Sequence, residues 1–210
     1  MIKILVADDH ALIREGVRTL LQDEKDLKIF SDVKTGNDVL PSIEKNKPDI
    51  IILDISMPGR SGLDLIKDIK QRGFNTPVLF LTMHPEKRYA LRAFRAGAAG
   101  YLTKESAPDE LVKAIRKIIA GGRYVTDRFA EELANDLQSE ERNAPHESLS
   151  DREFQVLLMI ASGKTAREIA TELSLGEATV YTYRDRVLQK MELQTTAELT
   201  RYALERGLIE

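Results

Sequence analysis

The sequence predicts two domains, an α/β domain built on a doubly wound parallel sheet of five strands and an all-α domain of four helices behind it. Two observations carry this. As far as Ile119, short apolar runs rich in β-branched residues alternate with stretches of helical spacing, the pattern of a parallel sheet covered on both faces. Beyond Gly121-Gly122 every periodic stretch is helical. A length of 210 residues also fits two small domains better than one, against a prior of ~150 residues per domain.

Strands are expected at Ile2 to Ala7, Leu27 to Val33, Ile50 to Leu53, Val78 to Leu81 and Ala98 to Leu102. Helices are expected at Leu12 to Leu21, Val39 to Glu44, Leu63 to Ile69, Tyr89 to Ala96 and Leu111 to Ile119. Pro41 removes one backbone hydrogen bond, so the second helix is expected to begin close to it. Gly121-Gly122 closes the last of these helices, and the first domain is placed at residues 1–121. Residues 122–147 form a linker. Phe129, Leu133 and Leu137 are spaced for a short helix within it, and the polar run from Gln138 to Ser148 has little to bury and reads as a tether.

The second domain is placed at 148–210. Ser150 with Glu153 forms a capping box ahead of Phe154, Leu157, Leu158 and Ala161, and Gly163 ends that helix. Thr165 and Glu168 repeat the box before Ile169, Ala170 and Leu173. After the turn Ser174-Leu175-Gly176, a third helix turns Val180, Val187, Leu188 and Met191 inward, and a fourth covers about Ala197 to Glu205. Two short helices joined by a tight turn, the second with basic residues outside, form a helix-turn-helix pattern.

With 42% apolar and 31% charged residues the chain can bury a core, which excludes a disordered or fibrous protein. The absence of Cys excludes disulfides and thiolate metal sites and suits a reducing compartment. The uncharged run from Gly73 to Met83 is far shorter than the ~20 residues of a membrane span, and Lys3, Asp8 and Asp9 spoil a signal-peptide pattern. A cytoplasmic protein without membrane attachment is expected. The net charge is -3, and no segment is strongly basic: residues 1–120 carry 20 basic and 17 acidic side chains, 121–146 carry 3 and 6, and 147–210 carry 8 and 11. Any nucleic-acid binding must therefore come from a local cluster.

In a doubly wound sheet the functional crevice lies beyond the carboxyl ends of the strands. Asp8 and Asp9 end the first strand here, Asp54 the third and Thr82 the fourth, while Lys104 follows the fifth. Crowded carboxylates require a cation, and hard oxygen ligands with room for water suit Mg2+. With that ion and Lys104 offsetting its charge, Asp54 is placed to attack phosphorus and form an aspartyl phosphate, one oxygen of which the Thr82 hydroxyl would bind. One such Asp alone would more simply cap a turn. It is the five matched strand ends together that favour the site.

These residues resemble a two-component response regulator of the NarL/FixJ type, a flavodoxin-like receiver domain joined to a LuxR-type helix-turn-helix. The receiver likeness lies in Val6-Ala7-Asp8-Asp9-His10, in Leu53 to Gly59 with Gly62, in Thr82, and in Tyr101-Leu102-Thr103-Lys104. The output likeness lies in Leu149 to Glu153, Gly163-Lys164-Thr165, Glu168-Ile169-Ala170 and Thr179-Val180. The resemblance implies that Asp54 is the phosphoacceptor and that Asp9 and Asp54 ligate Mg2+ directly. Asp8 would act through water, and the Ser56 carbonyl would supply a further oxygen. It also implies that Thr82 and Tyr101 are a switch pair, the tyrosine ring moving inward on phosphorylation. His10, His84 and His146 receive no role.

The third output helix departs from its family, which commonly reads Thr-Val-Lys-x-His where this chain has Thr179-Val180-Tyr181-Thr182-Tyr183. Basic character sits instead at Arg184, Arg186 and Lys190 against Asp185, a local net of +2 over residues 181–190. Tyr181, Thr182, Asp185 and Arg186 are expected to meet base edges, and Arg184, Lys190, Lys164 and Thr165 to face the phosphate backbone. The expected function is a phosphorylation-controlled transcriptional regulator, not an enzyme, with a sensor histidine kinase, double-stranded DNA and, once phosphorylated, a second copy of itself as partners. Two rivals differ from it. A Mg2+-dependent phosphohydrolase would need an acid two residues past its nucleophile, where this chain has Ser56, and a DNA-free adaptor would use the helical bundle for docking.

Overall fold

The computed structural model describes residues 1–126, 129–130 and 144–209. The chain divides into two compact units, Met1–Asn135 and Asp136–Glu210. In the first, strands β1 (Ile2–Ala7), β2 (Leu27–Val33), β3 (Ile50–Leu53), β4 (Val78–Thr82) and β5 (Gly100–Thr103) form one parallel sheet in the order β2-β1-β3-β4-β5. Helices α1 (Ala11–Leu21), α2 (Gly36–Asn46), α3 (Gly62–Gln71), α4 (Glu86–Arg95) and α5 (Ala107–Ile119) alternate with the strands. β3 and β4 are buried along their whole length, as expected of strands covered on both faces. On one face Ile4, Val6, Ile52 and Leu81 meet Val17 and Leu21 of α1 and Leu111 and Ile115 of α5.

Three elements begin where apolar periodicity gives no signal. α2 starts at Gly36 and places Pro41 in its sixth position, so one internal hydrogen bond is lost without breaking the helix. The expectation that α2 begins beside Pro41 is corrected accordingly. α5 starts at Ala107, four residues before its first large apolar side chain, with Pro108 in the first turn and Asp109 and Glu110 at the positive end of the dipole. β5 starts at Gly100 and not at Ala98, because the Ala98 amide is spent on the Ala93 carbonyl as α4 closes. Tyr124 then forms a lone bridge to Gly100, the Thr126 hydroxyl donates to Glu86 at 2.6 Å, and Phe129 stacks on Phe94. Phe129 and Ala130 are helical; Leu133, Leu137 and the polar run over residues 138–143 lie outside the described residues.

The second unit holds a short 3-10 turn (Pro145–Ser148) and helices α6 (Asp151–Ala161), α7 (Ala166–Leu173), α8 (Glu177–Lys190) and α9 (Thr196–Glu205). Both expected capping boxes are formed, and Thr195 with Glu198 makes a third ahead of α9. α6 packs on α8 and α9, and α7 on α8, around Phe154, Leu157, Ile169, Val180, Val187 and Leu199. Between α7 and α8, Ser174 adopts a left-handed conformation with φ 54°, the bend of the helix-turn-helix. Among the described residues no helix is long and apolar enough to cross a membrane.

Candidate functional site

The parallel register of the sheet brings the ends of β1, β3, β4 and β5 to one edge. Asp54 leaves β3 with its amide bonded to the Ala7 carbonyl and its Oδ1 accepting the Ile55 N–H at 2.7 Å, so its carboxylate is held in one orientation. The chain then folds back on itself. A Cβ on Gly62 would lie 2.2 Å from the Asp54 carbonyl oxygen, an approach only glycine permits.

Lys104 closes the site from β5. Its Nζ lies 2.7 Å from Asp8 Oδ2 and 2.8 Å from Asp54 Oδ2, and all three side chains are at least 96% buried. Burial and the negative charge of Asp54 push the Asp8 carboxyl above the ordinary value, against the lowering influence of Lys104. For the Lys104 ammonium, burial acts downward but the two carboxylates outweigh it, and it stays charged above the usual lysine value. One ammonium thus faces three carboxylates, since Asp9 adjoins.

Ligand atoms of Asp8, Asp9, His10 and Asp54 all lie within 4.8 Å of one another. Asp9 Oδ1 is buried and accepts no hydrogen bond, although the His10 Nδ1 lies 2.8 Å away. Hard carboxylate oxygens this close together, carrying excess negative charge over a single ammonium, fit a divalent cation such as Mg2+.

Behind the acidic cluster, Thr82 and Tyr101 are fully buried and converge on His84. The His84 amide donates to Thr82 Oγ1 at 3.4 Å, and the Tyr101 hydroxyl donates to the His84 carbonyl at 3.0 Å. The His84 ring packs on Tyr89 with centroids 4.4 Å apart, and its Nε2 meets the Ser56 hydroxyl at 2.7 Å. Burial holds the Tyr101 hydroxyl well above its ordinary pKa, so it remains a donor. The ring that was expected to move inward already lies inside. His84 is the residue that sequence reasoning passed over, its only signal being its place two residues after Thr82.

In the second unit Tyr181, Thr182, Asp185 and Arg186 share one exposed face of α8. Gln189 continues that face at the same spacing, four residues past Asp185, and periodicity alone could have found it. The Arg184 guanidinium lies 5.2 Å over the Tyr181 ring and donates to Asp185 at 2.8 Å. Lys164 and Lys190 are engaged within the unit. Lys164 pairs with Glu172, and Lys190 reaches back 2.7 Å to Glu153, the acid of the first capping box. The Thr165 hydroxyl serves the second box.

A buried acidic pocket closed by a lysine at the carboxyl edge of a five-stranded parallel sheet, followed by a helix-turn-helix, defines a receiver domain coupled to a DNA-binding output domain. Residues 4–116 match the response regulator receiver domain, and residues 147–203 match the bacterial regulatory proteins of the luxR family. The chain belongs to the response regulators with a LuxR-type output domain, which makes it a phosphorylation-controlled transcription regulator. It is 37% identical over 209 residues to the response regulator UvrY of Escherichia coli, covering 99% of this chain and 96% of that one. To the response regulator GacA of Pseudomonas aeruginosa it is 36% identical over 211 residues, covering 100% and 99%. The structure of RcsB from Salmonella enterica serovar Typhimurium bound to the promoter rprA with phosphomimetic BeF3- shares the fold, with a TM-score of 0.65, 23% identity and coverage of 96% and 98%.

Proposed function

We propose that Asp54 accepts a phosphoryl group from a phosphohistidine of a sensor histidine kinase, in the cytoplasm, and that the modified protein pairs with a second copy and binds double-stranded DNA. The supporting observation is Lys104, one buried ammonium shared by Asp8 and Asp54 beside the Asp9 carboxylate. Mg2+, held by Asp8, Asp9, Asp54 and the Ser56 carbonyl, would offset the charge of the phosphoryl oxygens. A carboxylate oxygen of Asp54 attacks phosphorus as the bond to the imidazole nitrogen breaks, and the imidazole keeps the electron pair. Lys104 then exchanges its contact with Asp54 for one with the phosphoryl group.

Thr82 and Tyr101 act through His84. A Thr82 hydroxyl drawn toward the phosphoryl group gives up its bond from the His84 amide, and the carbonyl of that same residue holds the Tyr101 hydroxyl. The switch in this chain is therefore a change in how a buried tyrosine is held at the head of α4.

On DNA, Tyr181, Thr182, Asp185 and Arg186 take the base edges and Arg184 a phosphate, the arrangement of a recognition helix in the major groove, while Lys164, Thr165 and Lys190 reach phosphates only by giving up Glu172, Glu168 and Glu153. Reaction with acetyl phosphate and Mg2+, read by intact mass, tests the core of this reading. The wild type gains one phosphoryl group and Asp54→Asn none, whereas retained labelling in the variant moves the acceptor elsewhere.

A further inference from the structure

The turn from Asp8 to His10 has to hold two carboxylates close to a third, and its own contacts are local: the His10 amide donates to Asp8 Oδ1 at 2.8 Å, and the His10 ring lies 2.8 Å from Asp9 Oδ1. No side-chain hydrogen bond caps α1 at His10, which is exposed. The tie from this turn to the rest of the fold comes from Arg14, one turn into α1 and only 6% exposed. Its Nη1 donates to the Asp8 carbonyl at 2.8 Å, and its Nε donates to Asp32 Oδ2 at 3.0 Å at the end of β2. Asp32 is held in turn by Arg18 at 2.8 Å, and Arg18 lies 3.3 Å from Glu15.

Two guanidinium groups and two carboxylates cancel in this chain of contacts, so Arg14 brings the acidic pocket little net charge. What it brings is direction. A guanidinium is costly to bury unless every donor has a purpose, and here two of its donors lock the backbone of Asp8 to the neighbouring strand end. We propose that Arg14 is a positioning residue for the cation site, fixing the turn that carries Asp8 and Asp9 so that their carboxylates stand close to Asp54 before any ion arrives. This rests on the reading of Asp8, Asp9 and Asp54 as Mg2+ ligands.

The test is a MgCl2 titration followed by melting temperature, with acetyl phosphate labelling as a second readout. Arg14→Met should raise the half-saturating Mg2+ roughly 10-fold, the scale on which partners of metal ligands act. Its labelling rate should return to the wild-type value at saturating Mg2+, because the reacting groups are untouched. Arg14→Lys, which keeps the charge but not the two-sided reach, should fall between. Arg18→Ala, which breaks the outer contact of Asp32 and the pair with Glu15 but leaves Arg14 on Asp8 and Asp32, should leave half-saturation unchanged. A merely structural Arg14 would lower the melting temperature in EDTA while leaving half-saturation at the wild-type value, and that result overturns the proposal. Should neither Arg14 variant fold, Asp32→Asn decides: half-saturation is expected to rise, and an unchanged value overturns the proposal. A wild type whose melting temperature ignores Mg2+ overturns this proposal together with the reading of the ligands, whereas a responsive wild type whose Arg14 and Asp32 variants keep its half-saturation overturns Arg14 alone.

Discussion

The two units place their important side chains in opposite surroundings. In the sheet unit Asp8, Asp54, Thr82, Tyr101 and Lys104 are buried or nearly so; Asp8 and Asp54 share Lys104, and Thr82 and Tyr101 share the backbone of His84. In the helical unit Tyr181, Thr182, Asp185 and Arg186 stand in solvent, and among the described residues Arg186 has no ion-pair partner. A buried polar group must find its partners inside the fold, whereas an exposed one awaits a partner from outside. The first kind of site is therefore stringent and the second graded.

The largest expected effect breaks that comparison if it fails. Asp54→Asn keeps the shape and removes the nucleophile, so phosphoryl transfer and phosphate-induced dimerisation should vanish together, as read by mass and by sedimentation. Lys104→Ala should leave some labelling while uncoupling it from dimerisation, since the lysine is the group that can report the change of charge on Asp54. An unchanged monomer after phosphorylation of the wild type would refute the coupling.

The helical unit should respond in steps. Loss of a base contact at Thr182 or Arg186 is expected to cost ~1 to 3 kcal/mol on a specific duplex and to relax preference at one position. Loss of a phosphate contact at Arg184 should weaken all duplexes alike and shrink the salt slope by about one. Equal, salt-insensitive losses on specific and scrambled duplexes would show that α8 is not the reader.

How far the sequence could be read follows the same division. Strand ends are set by apolar runs, and in a parallel sheet the residues just past those runs must share an edge, so the sequence alone brings Asp8, Asp9, Asp54, Thr82 and Lys104 to the edge where the parallel register puts them. The missed partners, Arg14 and His84, act through backbone carbonyls and amides, which carry no sequence signal. The first turns of α2 and α5 give no apolar period, since they carry Asp38 and Asp109 with Glu110 at the positive end of the helix dipole. On α8, periodicity identified the exposed face but not that Lys190 is occupied, because its partner Glu153 lies in another helix.

A smaller effect sharpens the contrast inside the acidic pocket. The carboxyl of Asp8 is raised by burial and by Asp54, so its ionised form opposes folding. With the folded value above the unfolded one, the native state binds the extra proton, and stability without metal should fall as pH rises from 3.8 through the raised value. Asp8→Asn should accordingly be more stable than wild type in EDTA, by about 1.4 kcal/mol for each unit of pKa relieved, and should lose most of the stabilisation by Mg2+. A variant that melts lower in EDTA would mean that the contact of Asp8 with Lys104 outweighs its burial.

The smallest effect concerns the residue whose two readings conflict. Lys190 is expected on a phosphate, yet its ammonium is held by Glu153, which also accepts the Ser150 amide at 2.8 Å in the capping box of α6. Burial acts to raise the Glu153 carboxyl, but Lys190 and Ser150 together hold it below the ordinary value. A depressed pKa contributes stability that is present above 4.5 and lost as pH falls through the folded value. Lys190→Ala should therefore narrow the gap between melting temperatures at neutral and acid pH. In a double-mutant cycle with Glu153→Gln the coupling should be roughly 0.5 kcal/mol, as for a pair with one partner in solvent. If the lysine is committed to this contact, its removal lowers stability and leaves the salt slope of DNA binding unchanged. A slope smaller by about one, with no coupling to Glu153, would return Lys190 to the DNA backbone.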